Sequence, residues 1–194
     1  LYNHSSSELI LGRIPVYWGQ GSHSIISSRF VPTYDQFSIK MKFDLFQMTV
    51  LLGQLDSESL MGDRIKRHIA GHKLNWLSND GKLSISIGEQ IIYTGKNRGI
   101  EWHYLNPFVP YFFNAIERNE EMTEDGDNDN SFLFATIRYM YKPHLSLFGE
   151  LLNDDFQVDD TDIQHRLGYK IGVDGVFIIS GKPITWVLEW TNIN

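Results

Sequence analysis

The chain has 194 residues, enough for one sizeable core, and a formal charge of −7, which argues against a nucleic-acid partner because phosphate binding needs a basic surface. It has no cysteine, which excludes disulfides and thiolate metal sites. It contains no run of about 18 apolar residues, which excludes a transmembrane helix but not membrane-crossing strands, for which about 9–11 residues suffice.

Strict apolar/polar alternation, the period-2 signature of a strand with one wet face, dominates the chain. The first such segment spans 8–18 and is weakened by Pro15, which has no backbone donor. The second, 36–43, sets Phe37, Ile39, Met41 and Phe43 against Ser38, Lys40 and Lys42. The third, 45–55, sets Phe46, Met48, Val50 and Leu52 against Gln47 and Thr49. Segments follow at 66–78 and 82–95; in the latter Glu89 is out of phase, and a bulge near Gly88 is expected to turn it to the polar side. Two more lie at 131–141 and 145–153. The eighth, 165–179, sets Leu167, Tyr169, Ile171 and Val173 against Arg166, Lys170 and Asp174. The ninth, 184–193, sets Ile184, Trp186, Leu188 and Trp190 against Thr185, Glu189 and Thr191.

The connections alternate in length. Long ones are expected at 19–35, 56–65, 96–130 and 154–164; tight ones fall near Asp44, at Asn79-Asp80-Gly81, at Lys142-Pro143-His144 and at Ser180-Gly181-Lys182. Long loops at one end and tight turns at the other are the pattern of an outer-membrane barrel. The fold class expected is therefore all-β: an antiparallel up-and-down transmembrane β-barrel, here a partial barrel of about nine strands, with 1–194 part of one domain. Ile39, Met41, Met48, Val50, Ile171 and Trp186 are expected to face hydrocarbon. Lys40, Lys42, Arg138, Glu150, Arg166, Lys170, Asp174 and Glu189 are expected to face the lumen. Leu1 is not followed by a signal peptide, and barrels close on an even strand number, so further strands and a leader are expected outside this sequence.

Three stretches carry chemistry worth weighing. Asp125, Asp127 and Asp129 have calcium-loop spacing, but Asn130 stands where that loop needs glycine, and no glutamate lies six residues on from it; a solvated loop is the preferred reading, and no metal site or cofactor is expected. Asp154 and Asp155, with Asp159, Asp160 and Asp162, form a second acidic loop, read as solvated charge in preference to a glycosidic carboxylate pair. The aromatic run Trp102, His103, Tyr104, Phe108, Tyr111, Phe112 and Phe113 lies inside the longest loop. So much aromatic surface must pack into the lumen or onto another loop, and packing is favoured over a platform for sugar rings. The histidines show no metal-binding spacing; His68 and His72 on one strand face stand about 13 Å apart. No nucleophile elbow is present, and no enzyme is expected.

Several motifs, in order, carry a resemblance. They are Gly12-Arg13 with Tyr17-Trp18-Gly19-Gln20-Gly21; Gly71-His72-Lys73-Leu74-Asn75-Trp76; Leu83 to Glu89 with Ile92-Tyr93; Tyr104-Leu105-Asn106-Pro107; Gly126-Asp127-Asn128-Asp129-Asn130; Leu147 to Leu152; and Asp154-Asp155-Phe156-Gln157. Together they resemble the capsule assembly protein Wzi family and its gliding-motility relatives in Bacteroidetes. The resemblance implies a non-enzymatic barrel in the outer membrane of a Gram-negative bacterium, embedded in its lipid bilayer and attaching capsular or surface polysaccharide. A porin-like channel or transporter is the alternative. Nothing here corresponds to that family's N-terminal helical plug. Trp102, Tyr104, Asn106, Tyr111, Asp127, Asn128, Asp129, Asn130, Asp154 and Asp155 are the candidate glycan contacts, with Trp102, Tyr104 and Tyr111 as stacking rings.

Overall fold

A computed structural model describes residues 7–60, 63–96, 98–111, 128–154 and 166–193. They form one antiparallel sheet of nine strands in which each strand pairs only with its neighbours in sequence. The strands are β1 (Ser7–Ile14), β2 (Tyr34–Phe43), β3 (Phe46–Leu60), β4 (Asp63–Leu77), β5 (Leu83–Gly95), β6 (Asn128–Lys142), β7 (Leu145–Asp154), β8 (Arg166–Ile179) and β9 (Lys182–Ile193). No pairing among the described residues joins β9 to β1, so the sheet is not closed.

Tight turns join β2 to β3, β4 to β5, β6 to β7 and β8 to β9. In the last, Ser180 and Gly181 both have positive φ (50° and 76°), as a type I′ hairpin requires to match the twist of its strands. At β4–β5, Asp80 Oδ1 accepts hydrogen bonds from Ser78 Oγ at 2.7 Å and Lys82 N at 3.1 Å. These contacts, the Ser78 bond first, hold its carboxyl below the ordinary aspartate range.

Two sequence expectations are corrected by the strand bounds. The first strand stops at Ile14 rather than reaching 18, because Pro15 cannot continue the ladder. The expected long loop 56–65 is mostly strand: β3 runs to Leu60 and β4 resumes at Asp63, with a register shift between Leu55 and Glu58. Its polar residues Asp56, Ser57, Glu58 and Ser59 suggested a loop, but a hairpin extending past its neighbours is wet on both sides. Arg67 and Glu58 pair across it at 3.7 Å.

The registers separate two faces. Ser38, Thr49, Lys73, Ser86, Thr136, Glu150 and Lys170 share the polar face with every lumen-expected charge. Ile39, Met48, Ile87, Ile137, Leu147, Ile171 and Leu188 share the apolar one. Pairing through β5 is unbroken, with His72 opposite Glu89 and Lys73 opposite Gly88. The expected bulge is therefore absent, and Glu89 stays on the apolar face.

Residues 15–33 lie across the polar face. Val16, Trp18 and Ile26 form one core with Tyr34, Leu51, Ile69 and Phe134. Gly71 provides the space: a Cβ there would stand 2.7 Å from the Trp18 ring. Three residues on, Gly21 (φ +71°) lies against Phe148 of β7 and Glu189 of β9. A flat sheet separates β4 from β9 by about 24 Å, whereas three residues of chain span only about 10 Å. The sheet is thus curled around this segment, with its polar face concave.

Candidate functional site

Two segments cover the two faces, and each is fixed by buried charge. On the concave side the fastening centres on Lys170, opposite Glu150 in the β7–β8 ladder. Lys170 Nζ lies 3.0 Å from Glu150 and 3.8 Å from Glu189. It donates to the carbonyls of Gln20 (2.6 Å) and His23 (2.5 Å). Glu150 accepts from the backbone N–H groups of Gln20 and of Ile25 (2.9 Å) and from Ser24 Oγ (3.2 Å). Glu189 accepts from the N–H groups of Ser22 (3.0 Å) and His23 (3.1 Å). Arg138 Nη2 donates to both Asp174 oxygens at 2.6 and 2.7 Å, and Nη1 reaches Gln20 Oε1 at 3.3 Å. Four of the charges read as lumen-lining, Arg138, Glu150, Lys170 and Glu189, thus bind residues 20–25 and satisfy backbone groups of that segment.

On the convex, apolar side, residues 98–111 pack over β3–β6. Leu52, Ala70, Ile91, Tyr93, Tyr104 and Tyr111 form a second core there, with a 3-10 turn at Trp102–Leu105. Arg98 makes two contacts to the buried Asp129 carboxylate, one of them 2.9 Å from Nη2 to Oδ2. It bonds Glu101 at 2.7 Å and stacks 4.7 Å above the Tyr93 ring. Tyr104 Oη donates to Asp129 at 3.3 Å, and Tyr111 Oη donates to the Tyr104 carbonyl at 2.6 Å. Tyr111 N–H donates to Glu89 at 2.8 Å, and His72 stands 3.4 Å from the same carboxylate. Glu89, out of phase in sequence, is thus the anchor for this covering segment.

The candidate glycan contacts do not form one surface. Trp102 is 66% exposed, while Tyr104 and Tyr111 are fully buried, so neither of these rings offers a free face for stacking. They pack on the convex side of the sheet, not in the lumen or on another loop. Asn106 is exposed and accepts from Phe108 N–H at 3.1 Å. Asn128 opens β6 opposite Thr94. Asp129 is paired with Arg98. Asn130 donates to Asp154 at 3.2 Å on the concave face. Asp127 and Asp155 lie outside the described residues, as do Asp125, Phe112, Phe113, Asp159, Asp160 and Asp162. No group of three or more metal-binding side chains occurs among the described residues.

Sequence reading missed both fastenings. The short Gly19-Gln20-Gly21 stretch and the glycines at 71 and 172 were the available signals. They mark where backbone and large rings approach closely; a Cβ at Gly172 would collide with Phe148. What the fold and geometry define is an antiparallel β-meander with a segment clasped to its polar face and a second packed on its apolar one. Compared with family models, with curated proteins and with solved structures, the chain matches none.

Proposed function

We propose that the chain is part of a non-enzymatic outer-membrane β-barrel of a Gram-negative bacterium, serving to attach capsular or exopolysaccharide at the cell surface. One observation carries the membrane part. The apolar face is exposed across β1 and β7–β9, where Leu9, Leu11, Leu147, Ile171, Leu188 and Trp190 all point to the surrounding medium. A soluble monomer rarely exposes an apolar patch beyond about 300–600 Å², whereas an outward apolar band is what a membrane barrel needs. Residues 98–111 fit the same medium. Tyr104 and Tyr111 turn polar groups inward to Asp129 and Glu89, and Ile100, Trp102, Phe108 and Val109 turn outward beside the exposed His103 and Asn106.

The polysaccharide part rests on the resemblance to the Wzi family, together with exposed Trp102, a planar ring able to stack on a sugar face. A porin-like channel receives no such support, because residues 16–27 occupy the polar face that would line its pore. Cells producing the Trp102→Ala variant test the glycan role. The expected result is polysaccharide shed into the medium at unchanged protein level. Wild-type surface retention in cells from which the protein is deleted would contradict the function as a whole.

A further inference from the structure

A cavity of about 880 Å³ lies on the convex face beneath Pro107, Phe108 and Pro110. Its walls include Met41 of β2, Met48 of β3, Leu74 of β4, Ala135 of β6 and Leu151 of β7. It therefore runs across six neighbouring strands, a span of about 24 Å at the usual strand spacing. It borders the anchor Glu89 but not the Tyr104 and Tyr111 rings that fasten the covering segment. Its wall is polar only at Asn153 of β7 and at the His72–Glu89 pair on β4 and β5, and Glu89 is already committed to Tyr111.

The rim identifies the kind of occupant. A pocket for a soluble ligand, or a protein-docking groove, is edged by polar groups that stay in water. Here the edge is apolar as well: Phe108 is 87% exposed, Phe43 58% and Ile87 57%. A mouth edged in this way opens into an apolar medium. An elongated slot of this length, lined mostly by apolar side chains and open to hydrocarbon, suits an extended alkyl chain.

We infer that the slot between the convex sheet face and residues 107–110 binds one acyl chain of a membrane lipid. This rests on the membrane reading above. Moving methylenes into such a slot from water is favourable, but from hydrocarbon the transfer term vanishes. Selectivity for the slot over bulk lipid therefore comes from van der Waals fit against Met41, Met48 and Ala135, with Phe108 as the outer wall.

The test uses the protein folded into dimyristoylphosphatidylcholine vesicles, transferred to a mild detergent and weighed intact by native mass spectrometry. One retained lipid per chain is expected. Ala135→Trp, which fills the slot, should lower retention about tenfold or more, a difference of about 1.4 kcal/mol. Phe108→Ala, at a side chain too exposed to matter for folding, should lower it likewise and decides the matter if Ala135→Trp misfolds. Leu188→Trp, on the same face of β9, should leave it unchanged. Equal retention in all variants, no retained lipid, or a second copy of the chain in place of lipid would overturn the acyl-chain site while leaving the barrel standing. A chain that never enters the vesicles would overturn both.

Discussion

Lys170 and Glu150 face each other across β7 and β8 at 3.0 Å, and solvent reaches neither side chain. Breaking such a pair on one side leaves an uncompensated buried charge and costs about 3–5 kcal/mol, whereas replacing both partners by apolar groups costs far less. Glu150→Ala should therefore be strongly destabilising, and Glu150→Leu combined with Lys170→Met less so. Urea unfolding in lipid measures both. Protease cleavage within residues 19–25 should accelerate in the single variant, because Gln20 and Ile25 lose their acceptor. A double variant as unstable as the sum of the two singles would show that the charges do not act as a pair.

Asp80 gives the β4–β5 turn a pH dependence. Its carboxyl is held below the ordinary aspartate value, so its contribution is fully present above the unfolded-state pKa and is lost as pH falls through the lower folded value. The stability difference between the protein and its Asp80→Ala variant should be constant near neutral pH and shrink below about pH 4. Denaturant midpoints measured across that range check it. A difference that grows on acidification would reverse the assigned sign.

How far the sequence revealed the fold depended on which rule governed each stretch. Alternation gave the strands because every second side chain must meet the same medium; Phe37 to Phe43 and Leu167 to Val173 read directly as built. It failed at 56–60, where the hairpin is wet on both sides and alternation has nothing to record. It failed at Glu89 because a covering segment 22 residues away supplies the partner. Tyr104 and Tyr111 were legible as rings that must pack, but the surface they pack on depends on Arg98 meeting Asp129 across 31 residues. Long-range pairing of this kind leaves no periodic trace.

Arg98 and Asp129 should behave as one unit. Arg98→Ala leaves the Asp129 carboxylate buried without its cation and should cost about 3–5 kcal/mol, whereas Asp129→Ala leaves Arg98 still paired with Glu101 and should cost less. The double variant should cost clearly less than their sum, with a coupling energy above about 0.5 kcal/mol. A double-mutant cycle by urea unfolding supplies the number. Additive costs would mean that the segment 98–111 is held by its tyrosines alone.

The apolar face is not uniform, and charge substitutions should reveal the difference. Ile171 is 59% exposed on that face, so Ile171→Arg should lower folding yield in vesicles, by about 2–4 kcal/mol near the bilayer midplane. Val50 was expected to meet hydrocarbon but is 2% exposed, opposite His72, whose ring packs on Tyr111 of residues 98–111. Val50→Arg should therefore do more harm, displacing that segment as well. Gln47→Arg, on the polar face, should fold normally. Equal yields for Ile171→Arg and Gln47→Arg would contradict the assignment of faces.

The absence of native cysteine makes the decisive measurement simple. Single cysteines at Val187, Leu188, Trp190 and Thr191 of β9, each carrying a fluorescent label, are placed in vesicles containing brominated phosphatidylcholine. Leu188 and Trp190 lie on the apolar face, and Val187 and Thr191 on the polar one. Strong quenching at 188 and 190 with little at 187 and 191 is the result expected of a strand whose apolar face touches lipid. Equal quenching at all four positions, or none at any, would contradict a membrane-spanning sheet.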